Sequence, residues 1–201
     1  MTGVQTCALP ISAVERVGHE LGPIDVLVNN AGVAESAPFA RTDPAMWERH
    51  FALNVRGPYL ATRAVLPGML ERHWGRVINV ASLAGLVGTS YVTAYTASKH
   101  ALVGFTRALA TEVVGTGVTV NAVCPGFVAT DMVWNGARNV AARTGKSFDD
   151  AVQAMADLNP GGRLLDPDEV ADAVARLVRD ANANGEIVVL DGTAPPPKRS
   201  E

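Results

Sequence analysis

Apolar residues in this chain gather in short unbroken runs, separated by longer segments of mixed polarity. Four runs stand out: Asp25 to Asn29, Arg76 to Ala81, Val118 to Cys124 and Glu186 to Leu190. None alternates apolar with polar, the pattern of strands buried on both faces. The segments between them read as helices. Ser12 to Leu21 is one, ended by Gly22-Pro23. Asp43-Pro44 starts another, with Asp as N-cap and Pro at the first helical position. It runs to about Glu71, with Phe51, Val55 and Leu60 expected on its inner side. Thr93 to Val114 is a third, closed by Gly115 and Gly117, and Met132 to Leu158 is mostly helical. Asp166-Pro167-Asp168-Glu169 repeats the Asp-Pro start and places Glu169 to complete a capping box; that helix ends near Asp180. Strands separated by helices predict an α/β fold, a parallel sheet covered on both faces.

Composition narrows the class. Apolar residues make up 48% and charged residues 18%, enough for one soluble domain with a sizeable core. A net charge of −3 gives no electrostatic case for nucleic acid or an anionic membrane. No run is long enough to span a bilayer. Of the two cysteines, Cys124 reads as a buried free thiol, so no disulfide framework is expected and a cytoplasmic location is the default. His19, His50, His73 and His100 lack metal-ligand spacing and read as surface or satisfied core residues, so no metal is expected.

The chemistry concentrates between residues 82 and 99. Tyr95 and Lys99 lie four apart on a helix and so share a face. A phenol with a pKa near ~10 is a poor acid at neutral pH, and an adjacent ammonium is expected to lower that pKa. The pair could then trade a proton with a carbonyl or alcohol oxygen. Ser82 closes a strand, where its hydroxyl can hold the same oxygen. Asn54 precedes Pro58 by four residues inside a helical pattern. Proline has no N–H for the Asn54 carbonyl, so a kink is expected there, aided by Gly57. The freed carbonyl could accept from a water bound by Lys99.

Two further motifs sit at strand ends: Asn29-Asn30-Ala31-Gly32, and Pro125-Gly126-Phe127-Val128-Ala129-Thr130. With Asn54, Ser82, Tyr95 and Lys99 they resemble the short-chain dehydrogenase/reductase family from about Val14 to Gly192. The resemblance implies a Rossmann-like doubly wound parallel sheet and an NAD- or NADP-dependent enzyme interconverting a ketone and a secondary alcohol. It implies Tyr95 as general acid or base and Ser82 as the group that polarises the carbonyl. Lys99 would also hold the nicotinamide ribose, and Asn54 would complete a proton relay. Asn30, Ala31 and Gly32 would line the adenosine side. Pro125, Gly126, Val128 and Thr130 would wrap the nicotinamide end. Val-Cys-Pro-Gly-Phe-Val and Asn-Pro-Gly-Gly-Arg resemble reductases of 3-oxoacyl thioesters. Met132 to Leu158 corresponds to the family's variable lid, where Trp134, Phe148 and Met155 could line an apolar slot and Arg138, Arg143 and Lys146 could meet phosphates. The two long helices imply a homodimer or homotetramer.

The start of the chain departs from the family. No Gly-x-x-x-Gly-x-Gly cradle precedes Asn29, and the residue that would choose NAD or NADP is absent with it. Met1 to Ile11 matches the translation of a common sequencing adapter, so residues 1–11 are expected to be an artefactual leader. The expected organisation is a truncated domain over 12–192, a disordered tail over 193–201, and a sheet lacking its first three strands, roughly 60 residues at ~30 per βαβ unit. The strand Asp25 to Asn29 would then be a bare edge. Two alternatives remain: a non-enzymatic fragment that only self-associates, and a sugar-nucleotide epimerase or dehydratase of the extended branch. The short region after Thr130 weighs against the second.

Overall fold

The structure, a computed structural model, describes residues 5–195, with side chains from residue 11 onward. Residues 1–4 of the expected leader 1–11 and residues 196–201 of the expected tail 193–201 lie outside the described residues. Four parallel strands form one sheet in the order β1 (Val26–Asn29), β2 (Gly75–Val80), β3 (Val118–Pro125) and β4 (Ile187–Leu190). All four match the unbroken apolar runs. The two inner strands are almost wholly buried, whereas β1 and β4 alternate between partial and greater exposure because each has a neighbour on one side only.

The helices are α1 (Gln5–Leu21), α2 (Pro44–Phe51), α3 (Gly57–Glu71), α4 (Thr93–Glu112), α5 (Asp131–Thr144), α6 (Phe148–Ala156) and α7 (Pro167–Arg179). Alternation within the strands divides the core. Val77, Val118 and Val120 pack with Val65, Met69, Leu109 and Val113 from α3 and α4. Their strand neighbours Ile78 and Val123 face the other way, onto Ala173 and Leu177 of α7. The sheet is therefore wound on both faces, as the helix–strand alternation predicts.

Both Asp-Pro starts fold as expected. Asp43 accepts from the Met46 N–H at 2.7 Å, and Asp166 with Glu169 closes a capping box at the head of α7. Glu169 also takes a bidentate pair from Arg163 at 2.7 Å on each oxygen, tying α7 to the loop before it.

The long helix beginning at Pro44 is interrupted. Residues Ala52–Arg56 form one π turn, in which the Gly57 N–H bonds the Ala52 carbonyl five residues back. The expected disturbance near Pro58 is thus an inserted residue. An extra residue advances the helical phase by roughly 100°. This corrects the expected inner face: Leu60 is buried, but Phe51 and Val55 line a shallow outer groove with Glu48, Ala52, Arg56 and Tyr59.

Candidate active site

The site lies at the carboxyl ends of β1, β2 and β3, where the strands hand over to loops. Ser82 follows β2 and caps a short 3₁₀ turn, Leu83–Gly85, by accepting from the Ala84 N–H at 3.1 Å. Its hydroxyl lies close enough to the Tyr95 phenol to act on that group's pKa. Tyr95 and Lys99 occupy successive turns of α4, with Lys99 Nζ 5.8 Å from the Tyr95 ring centroid. Lys99 is buried, and its ammonium donates to the Val80 carbonyl at 2.8 Å. The three groups singled out in the sequence therefore converge.

Their electrostatics differ from expectation. Burial raises the Tyr95 pKa above its ordinary value, and the Ser82 hydroxyl only partly offsets this. The lowering expected from Lys99 is not what results: the net shift is upward, and the ammonium donates to the Val80 carbonyl. Burial instead lowers Lys99 itself from 10.5 to about 8. Burial pushes the pKa of the Cys124 thiol up, against the opposing effects of the Ser82 backbone and the charges of Lys99 and Arg107.

Asn54 sits in the π turn and is fully buried. Its amide oxygen accepts from the Val33 N–H and its amide nitrogen donates to the Val33 carbonyl, both at 2.9 Å. The same nitrogen reaches Ser98 Oγ at 3.0 Å, and Ser98 donates to the Tyr95 carbonyl at 2.7 Å. Pro58 offers no N–H to the Asn54 carbonyl. The loop after β1, with Asn30, Ala31 and Gly32, folds onto this group. A Cβ on Gly32 would stand 3.2 Å from Asn54 Oδ1 and 3.5 Å from Lys99 Nζ, so the backbone comes close only because glycine is there.

Pro125 ends β3, and the loop after it is stapled by Asn159. That amide accepts from the Phe127 N–H at 2.8 Å and donates to the Phe127 carbonyl at 3.0 Å. A Cβ on Gly126 would overlap the Asn159 amide oxygen. Val128 bridges to Leu165, and Thr130 Oγ1 donates to the Val128 carbonyl at 3.2 Å at the head of α5. This is the loop expected at the nicotinamide end, built around a glycine that lets backbone pack against an amide.

In the lid, Trp134 and Phe148 pack together at 6.4 Å between α5 and α6, and Met155 lies against Gly136. Arg138 bonds Asn135 at 2.7 Å and stacks over Phe148 at 5.9 Å. These contacts hold α5 and α6 together, with Arg138 on the exposed side.

Asn79 and Thr106 carry no sequence signal. Asn29 donates to Asn79 Oδ1 at 2.8 Å, and Asn79 donates to Thr106 Oγ1 at 2.9 Å, a polar chain beneath α4. The roles of Ser98 and His50 are likewise known only from their partners, and Asn159, the first residue of the Asn-Pro-Gly-Gly-Arg motif, shows its role only through Phe127. Among the described residues no metal-holding cluster exists, and no helix is long and apolar enough to cross a membrane.

The family model for short chain dehydrogenases matches residues 8–141. The chain belongs to the short-chain dehydrogenase family. Nodulation protein G of Azospirillum brasilense is 42% identical over 167 residues, 83% of this chain and 63% of that protein. A putative ketoacyl reductase of Streptomyces coelicolor is 42% identical over 173 residues, 85% of this chain and 65% of that protein. The chain thus spans about two thirds of the length of these curated relatives. A crystal structure of an actinorhodin polyketide ketoreductase variant with NADPH superposes with a TM-score of 0.87 at 37% identity, covering 92% of this chain and 73% of that one.

Proposed function

We propose that this short-chain dehydrogenase serves an NAD(P)-dependent oxidoreductase that interconverts a ketone and a secondary alcohol. The observation that carries the reading is the convergence of the Tyr95 phenol, the Ser82 hydroxyl and the buried Lys99 at the strand ends. The residues present fit a nicotinamide cofactor: Gly32 leaves backbone room beside the ammonium, and only one of its three N–H groups is spent on Val80. Lys99 would hold the nicotinamide ribose, Asn30, Ala31 and Gly32 the adenosine side, and Pro125, Gly126, Val128 and Thr130 the nicotinamide end. When bound, the cofactor supplies or accepts the hydride.

The chain's own residues handle the proton. The raised pKa keeps the Tyr95 phenol protonated at neutral pH, so it donates to the carbonyl oxygen during reduction. Ser82 orients that oxygen with a second hydrogen bond and stabilises the charge that develops on it. Asn54 fixes the loop wall through Val33, and its carbonyl joins a water relay that returns a proton towards Lys99.

A 3-oxoacyl thioester is the substrate class, supported by the ketoacyl reductase name of one relative and the ketoreductase identity of the structural neighbour. Self-association through the two long helices, Pro44 to Glu71 and Thr93 to Val114, fits the exposure of Leu53 and Tyr59 on the first of them. A cytoplasmic setting fits the buried free thiol. The test is titration of reduced nicotinamide fluorescence with this chain and with an N-terminally extended form. Binding by the extended form, followed by oxidation on adding an acetoacetyl thioester, supports the reading. Binding by neither overturns it and favours a self-associating fragment.

A further inference from the structure

The loop leaving β1 is held by three successive ties from one segment. Asn54 grips both backbone groups of Val33, His50 receives the Glu35 N–H at 3.0 Å, and Arg49 clasps the Glu35 carboxylate at 2.9 and 3.1 Å. Of these, His50 alone is an imidazole with no water access; it is 0% exposed. A backbone N–H can only donate, so Nε2 is the bare nitrogen. Nδ1 therefore carries the hydrogen and donates to the Met46 carbonyl at 2.8 Å. The ring also meets Tyr95 edge to face, with centroids 6.4 Å apart at 71°. The loop's other end, Gly32, abuts Asn54 and Lys99.

We propose that His50 is a positioning residue for the active site: its neutral ring joins the Glu35 N–H to the edge of Tyr95 and holds the loop wall closed beside Lys99. An apolar side chain would fill the same space more cheaply, because it brings no buried polar atoms. The acceptor is what the site uses. The assignment of catalytic consequence rests on the oxidoreductase reading above; the clamp itself does not.

Hydrogen exchange resolves the two. In the unsubstituted chain the Glu35 amide is expected to exchange slowly despite lying in irregular backbone, and an unprotected Glu35 amide overturns the proposal without any variant. His50→Phe keeps an aromatic ring but strands the Glu35 N–H. It is expected to speed exchange at Val33 and Glu35 at least about tenfold, which is ~1.4 kcal/mol, while Val77 and Val120 in the sheet stay protected. His50→Gln returns an acceptor and is expected to restore slow exchange. Equal exchange in the two variants refutes the role of the acceptor; should His50→Phe not fold, His50→Met takes its place. In the N-terminally extended form, His50→Phe is expected to raise the nicotinamide KM about tenfold with kcat nearly unchanged, and His50→Gln to reverse that. The clamp stands, and the oxidoreductase reading falls, if exchange behaves as stated while no form binds nicotinamide.

Discussion

Replacing Lys99 by methionine should make the folded protein more stable at neutral pH while removing its chemistry. Burial lowers the lysine pKa from 10.5 to about 8. At ~1.4 kcal/mol per pH unit, that fall represents roughly 3 kcal/mol of folding free energy spent to keep the ammonium in place below pH 8. Methionine has a similar reach and no charge to desolvate. It does strand the Val80 carbonyl, which now accepts from Lys99 at 2.8 Å, at a cost of about 1–3 kcal/mol. A net gain of about 1 kcal/mol at pH 7 is expected. The sign of the pH dependence is fixed. The unfolded lysine binds its proton up to about 10.5 and the folded one only to about 8, so the unfolded state holds more protons across that window and stability rises with pH there. Tyr95 and Cys124, whose pKa values burial raises, act oppositely above about pH 9; Tyr95 is common to both proteins, and the loss of the Lys99 charge moves Cys124 further up in the variant. Urea unfolding followed by tryptophan fluorescence at pH 7, 8, 9 and 10 gives the difference between wild type and Lys99→Met. That difference should favour the variant most at pH 7 and shrink steadily to pH 10. A difference that is flat with pH refutes the reasoning.

The same lysine sets a rate profile: kcat/KM for carbonyl reduction should fall as pH rises through about 8, where Lys99 loses its charge, measured from initial rates across pH 6 to 10. Leu177→Ala opens the layer between α7 and the sheet, where Leu177 is fully buried against Ile78 and Val123; it should cost about 2–5 kcal/mol in urea unfolding. Gly126→Ala forces a Cβ into the Asn159 amide, so it should cost about 1–3 kcal/mol and loosen the loop after β3, seen as faster exchange of the Phe127 amide.

The layout was legible because each level of the sequence agreed with the next. Unbroken Val and Ile runs gave parallel strands, and the two Asp-Pro pairs marked helix starts that Asp43 and Asp166 cap in the structure. Tyr95, Lys99 and Ser82 were readable from spacing, since a helical turn and a strand end leave little choice of direction. The π turn was only half visible: Pro58 announces a missing donor, but the insertion depends on how α2 packs against α4. The phenol's raised pKa was unreadable, because spacing brings Lys99 near Tyr95 without saying that Val80 takes the ammonium. The roles of Asn79, Thr106, Asn159 and His50 were hidden for a similar reason. The partners that fix them lie 15 to 50 residues away in the chain, across strand ends and loops that no local pattern records.

The central claim is that the Tyr95 phenol delivers the proton to a carbonyl oxygen held by Ser82. Single-turnover oxidation of reduced nicotinamide by the N-terminally extended form, with an acetoacetyl thioester, tests it most directly. The account predicts that Tyr95→Phe binds the cofactor about as tightly as wild type and shows no measurable oxidation. Substantial oxidation by Tyr95→Phe would contradict it.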